Sequence, residues 1–164
     1  CLSLIKIKIP SSVTSIGNNA FSKCSSLTEI SIPRNIYLFG YYVFDGIQSL
    51  LITGDIGKIV NFMFYKYLSL KHIIIPYSVI SIGDDAFREC SSLIDISIPS
   101  SVTSIGKRSF AFCSSLKQIK IPSSVISIGD CAFYKCSSLR EISIPSSINH
   151  INIGLSSNTE ILRF

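Results

Sequence analysis

Six cysteines and two histidines are the side chains of this sequence best equipped for nucleophilic or metal chemistry, and their spacing decides what they can do. Five of the cysteines, Cys1, Cys24, Cys90, Cys113 and Cys136, recur at one repeat position and therefore form a row. A zinc centre instead needs four ligands converging tetrahedrally, usually with a close Cys-x-x-Cys pair, which this chain lacks. Buried thiols behave as small hydrophobes, so the row reads as a column of free cysteines inside the fold. Cys131 stands apart. Its sister positions carry Asn19, Asp85 and Arg108, an outward set, so it is expected to be the thiol most open to reagents. His72 and His150 fall in different repeats and different columns, which leaves a Ser-His-Asp or Cys-His device little to assemble from. The serines come as pairs flanking proline and leucine, such as Ser100–Ser101 and Ser114–Ser115, where hydroxyls can satisfy turn backbone. Glycines follow isoleucine singly, as at Gly17, Gly83 and Gly106, without the grouping that cradles phosphate. The expectation is a protein with no catalytic group, no metal and no cofactor.

The elements that position these residues follow from composition and period. In 164 residues, 47% are hydrophobic and 15% charged, too apolar for a disordered chain. No run approaches the roughly 18 apolar residues of a membrane helix. The formal net charge of +5 is a mild excess, below what marks a nucleic-acid binder, so nucleic acid is disfavoured as a partner. The chain opens at Cys1 without a leader-like progression and stops at Phe164 in mid-strand by register, so it reads as a piece of a longer array. All six prolines, Pro10, Pro33, Pro76, Pro99, Pro122 and Pro145, keep one fixed interval, except that Pro33 to Pro76 spans slightly less than two such steps. The same clock sets Phe21, Phe44, Phe64, Phe87, Phe110 and Phe133, and seven leucines from Leu4 to Leu139. A stack of about seven coils, each of about 23 residues, is implied, with one coil slightly short.

Within a coil, Leu93-x-x-Ile96-x-Ile98 alternates as a short strand whose last two apolar residues point inward. Pro99 ends it, because a residue without an N–H cannot continue a central ladder. Val102-x-x-Ile105-Gly106 predicts a second short extended segment and a turn. The Ala86-Phe87-x-x-Cys90 spacing of three fits one helical or 3₁₀ turn with its apolar side inward. A single coil has too little core to fold alone, so coils must stack, their strands pairing in parallel. Residues 1–164 then make one solenoid of α/β type, irregular near 50–70 and degenerate over 145–164. Gly54, Asp55, Val60 and Tyr67 replace the usual proline, glycine and cysteine in the irregular coil, where a local kink is expected. In the last coil Ile148 and Ile151 keep register, while Asn152 takes the glycine position and Ser156 the phenylalanine position.

The string Ile98-Pro99-Ser100-Ser101-Val102-Thr103-Ser104-Ile105-Gly106, followed by Phe110-x-x-Cys113-Ser114-Ser115-Leu116, resembles the BspA-like subclass of leucine-rich repeats, found in surface proteins of anaerobic bacteria and parasitic protists. The resemblance covers nearly the whole chain. It implies a right-handed curved solenoid with no catalytic residues, attaching in several members to host cells, matrix proteins or other microbes.

Recognition is expected at the variable strand positions, which a parallel stack exposes as a grid. One column reads Ile5, Thr28, Leu51, Lys71, Ile94, Lys117 and Arg140; the next reads Lys6, Glu29, Ile52, His72, Asp95, Gln118 and Glu141. A third reads Lys8, Ser31, Ile74, Ser97, Lys120 and Ser143. Six basic against three acidic residues make this face mildly basic. The expected function is a non-catalytic protein-interaction module, a surface adhesin-type repeat binding host, matrix or microbial macromolecules, at the cell surface or outside it. The competing expectations are a cytoplasmic scaffold or targeting module of a larger protein, and a polyanion binder whose affinity falls steeply with salt.

Overall fold

The structure, a computed structural model, describes residues 3–148 and 152–164, so the expectations for Cys1, His150 and Ile151 lie outside the described residues. Successive coils are joined by three rows of backbone hydrogen bonds. The first row is the strand face: β1 (Lys6–Lys8), β3 (Glu29–Ser31), β5 (Ser49–Thr53) and β7 (His72–Ile74) form one parallel sheet, and β10 (Gln118–Lys120), β12 (Glu141–Ile144) and β13 (Glu160–Arg163) another. The segment Ile94–Ile98 lies between them, tied to β7 by a parallel bridge from Ile74 to Ser97. The second row is the corner: β2 (Ser15–Ile16) pairs β4 (Leu38–Phe39), and β6 (Lys58–Ile59), β8 (Ser81–Ile82), β9 (Ser104–Ile105) and β11 (Ser127–Ile128) form a four-stranded sheet. Between the rows, the proline carbonyl closes a tight turn with the valine three residues on, as from Val102 N to Pro99 O at 3.0 Å.

The third row corrects the expected helical turn. Among the described residues there is no helix. Arg108 and Phe112 take φ of +50° and +62°, as their counterparts do in sister coils, and a right-handed helix cannot run through left-handed residues. The reason is how donors are divided. Arg108, Phe110 and Phe112 donate to Asp130, Ala132 and Tyr134 of the next coil, while Ser109, Ala111 and Cys113 between them close local three-residue turns. A helix would spend every N–H within its own coil and leave neighbouring coils unjoined here. Spacing of three and four cannot distinguish the two arrangements.

Inside, identical residues stack. Phe64, Phe87, Phe110 and Phe133 lie with ring centroids 5.0 to 5.4 Å apart and planes within 6°. Cys90, Cys113 and Cys136 run alongside, each thiol donating to the phenylalanine carbonyl of the preceding coil at 3.0 to 3.1 Å. Serine hydroxyls of the Pro-Ser-Ser turns serve the same end, Ser101 donating to Val79 O and Ser124 to Val102 O.

The expected irregularity is a seam between the second and third coils. Among the described residues, neither sheet pairing nor a backbone bond joins Leu38–Phe39 to Lys58–Ile59. The turn row is also interrupted, its place taken by one bond from Phe44 N to the Tyr67 hydroxyl at 3.0 Å. The cause is at the glycine position. A Cβ built on Gly83 would stand 2.7 Å from Asn61 N and 2.9 Å from Val60 C of the coil before, and one on Gly106 would stand 2.5 Å from Gly83 C. Val60 has that Cβ and two methyls beyond it, so its coil cannot close on Gly40. The strand row bridges the seam by slipping two residues: Ile30 is level with Ile52, but Ile73 is level with Leu50. The missing residues thus lie in the turn after Phe44, where Ile47 is the buried residue three positions on, rather than between Leu50 and Leu70.

The last coil departs from expectation too. Phe133 N donates to Ile153 O as Phe110 N donates to Ala132 O, so the buried Ile153 takes the alanine position, while Ser156 is exposed and does not extend the phenylalanine column.

Candidate recognition face

Strand alternation divides the expected grid. Ile96, Ile98, Ile119 and Ile142 are buried, and so is Ile52, which removes it from the exposed column in which alternation by motif placed it. The slip also breaks the columns. Glu29 stands beside Lys6 and Leu51, and Leu51 beside Ile74, so Lys8 and Ser31 do not continue into Ile74 and Ser97. Past the seam the outward strand positions form two rows, His72, Asp95, Gln118, Glu141 and Glu160, and Ile74, Ser97, Lys120, Ser143 and Leu162.

These two rows converge on a concavity of about 630 Å³, where the sheet is interrupted at Asp95–Ser97. Asp95, Gln118, Lys120 and Glu141 line it, with Ile74 and Tyr77 as an apolar wall. Ile74 and Tyr77 are 61% and 77% exposed. His72 lies beside it, its Nδ1 2.9 Å from Asp95 Oδ1. Lys71, Lys117 and Arg140 each precede a strand by one residue, are exposed, and do not line the concavity. Lys6 and Glu29 pair at 2.7 Å on the far side of the seam, with Lys8 exposed beside them. The structure therefore gathers four of the expected residues, with His72 bonded to one of them, and leaves six apart. Tyr77 was missed; it stands where most sister turns have serine, which is its only mark in the sequence.

A second cleft of about 260 Å³ opens at the seam between Tyr37, Phe39, Lys58 and Val60. On the turn face, Asp85 is 1% exposed and held by Arg108 through two bonds of 2.9 Å, with Arg88 at 3.4 Å. Burial alone would raise its carboxyl, but the hydrogen bonds and charges of Arg108 and Arg88 outweigh that and hold it below the ordinary carboxylate range. Burial pushes the Cys90 and Cys136 thiols up to about 12 and Cys113 well above its usual value, so none of them is a thiolate near neutral pH. Cys131, the outward candidate, is half-buried. Among the described residues no three metal-ligating side chains lie together, and no helix is long and apolar enough to cross a membrane.

Rows of parallel strands around a stacked apolar interior, repeated coil after coil, define a leucine-rich-repeat solenoid. The chain belongs to the BspA type leucine rich repeat region family, whose model matches six copies over residues 1–57 and 57–164. It is similar to a leucine-rich repeat protein from Bacteroides ovatus, with 31% identity and a TM-score of 0.81 over 99% of this chain and 43% of that one. It is similar also to a leucine rich cell surface protein from Faecalibacterium prausnitzii (25% identity, TM-score 0.61, 99% and 60% covered) and to the T. pallidum leucine rich repeat protein (25%, 0.58, 98% and 69%). The chain thus spans under half of the first of these proteins. No curated protein sequence matches it.

Proposed function

We propose that this chain is a non-catalytic protein-interaction module that works at the cell surface or outside it, binding a host, matrix or microbial macromolecule through its strand face. The observation that carries the reading is the 630 Å³ concavity, which collects polar side chains of both signs beside exposed Ile74 and Tyr77. Interfaces concentrate binding in such mixed patches, with aromatic anchors and a polar rim. The similar Faecalibacterium protein is described as a cell surface protein, which supports the compartment. The scaffold alternative rests on free thiols and on the absence of Asn-x-Ser/Thr sequences; the thiols do not separate the two readings, because Cys24, Cys90, Cys113 and Cys136 are buried and would stay reduced in either compartment.

The test is an array of matrix proteins, glycans and bacterial surface material probed with the wild-type chain and with Ser97→Arg, an exposed position whose new side chain fills the concavity. Capture lost in the variant supports the strand face. Capture retained at wild-type strength removes it.

A further inference from the structure

The charge of the strand face differs from the charge of the whole chain. With 15 Lys and Arg against 10 Asp and Glu, the sequence favours an acidic partner. The outward strand positions past the seam reverse that balance. They hold Asp95, Glu141 and Glu160 against Lys120, with His72 already engaged by Asp95. Glu141 and Glu160 are level neighbours on paired strands, and neither has a cation within ion-pair distance among the described residues. Like charges directly opposite one another destabilise a sheet, so the pair stands there against stability. Lys117 and Arg140 are near in sequence, yet they precede their strands and miss the concavity. Lys120 itself rests over the Phe164 ring, 5.8 Å from its centroid.

We infer that the concavity receives a lysine or arginine side chain of a partner protein, carried on a segment with an adjacent apolar residue. This rests on the strand-face reading above and specifies its ligand. Asp95 and Glu141 supply carboxylates at the two ends of Gln118, so a long cationic side chain lying along that row meets an acceptor at each step. Tyr77 offers an exposed aromatic face for the same cation, and Ile74 offers apolar contact for its neighbour or its methylene stem.

The experiment is selection of random 12-residue peptides displayed on phage against the immobilised chain, followed by fluorescence anisotropy of the enriched peptides. The expected peptides carry Lys or Arg beside an apolar residue. Their affinity should drop about tenfold in Asp95→Asn and again in Glu141→Gln, stay unchanged in Lys120→Ala, and vanish in Ser97→Arg. Enriched peptides that are acidic and lose binding in Lys120→Ala would overturn the cation assignment and leave the strand face standing. Peptides indifferent to Ser97→Arg would overturn both. A library that yields no enriched peptide also counts against the assignment.

Discussion

Replacing Val60 by glycine should let the second and third coils close. At the regular junctions the corner row contributes, beside the pairing of its two-residue strands, two further backbone bonds, such as Ile80 N to Gly57 O at 2.9 Å and Gly83 N to Ile59 O at 2.8 Å. At a net value of about 1 kcal/mol each, closing the seam adds about 2 kcal/mol. Against this, Val60 is half-buried, so losing its side chain costs about 1 kcal/mol of burial, and glycine's backbone freedom costs up to about 1 kcal/mol more. The sum is near zero, where an unconnected Val→Gly change would cost the full ~2 kcal/mol. The reverse change at a closed junction has the opposite character. In Gly106→Val the new Cβ meets Gly83 C at 2.5 Å and Asp84 N at 2.6 Å, atoms of backbone that cannot swing aside. Two bonds lost and the overpacking together cost about 3–5 kcal/mol. Urea unfolding reads the energies, and hydrogen exchange reads the location: in Val60→Gly the amides of residues 57 and 60 should gain protection, with Tyr37 and Phe39 carbonyls as acceptors. A Val60→Gly protein that pays that full cost and gains no protection at those amides would refute the steric reasoning and assign the seam to the shortened turn after Phe44.

Three further outcomes are expected. Ser109 is fully buried and its hydroxyl has no hydrogen-bond partner among the described residues, while Ala86 and Ala132 hold the same position; Ser109→Ala should raise stability by about 1 kcal/mol in urea unfolding. Asp85→Asn keeps the size and suits φ of +52°, yet removes the charge facing Arg108 and Arg88, and should cost about 2 kcal/mol near neutral pH, less than a fully buried pair because Arg108 reaches solvent. Because the folded carboxyl lies below its unfolded value of about 3.9, its contribution is present above that pH and is lost as pH falls through the folded value; stability curves of the two proteins should converge there. In a Cys1→Ser background, a thiol reagent should label Cys131 first, with Cys24, Cys90, Cys113 and Cys136 reacting only on unfolding; simultaneous labelling of several thiols in the native state would contradict their burial.

Period, inward residues and the stacked interior were legible from the sequence alone, because each coil repeats one solution to the same problem: too little core within a single winding, and identical side chains available above and below. The prolines, the phenylalanine ladder and the thiol column all follow from that repetition. The turns were not legible. Ala-Phe-x-x-Cys has the same spacing in a helical turn and in the observed alternation of local and inter-coil bonds, and only the neighbouring coil's carbonyls decide between them. Nor was the layout of the recognition face, since counting from Leu50 put Ile52 outside, whereas strand pairing slips two residues there to satisfy Leu50 and Ile52 as buried neighbours of Ile73 and Ile30. Which charges share the concavity depends on strand alternation and on the break in the sheet at Asp95–Ser97, both settled by packing between successive coils. A column read along the sequence records residue types; the stack alone determines which of them stand side by side.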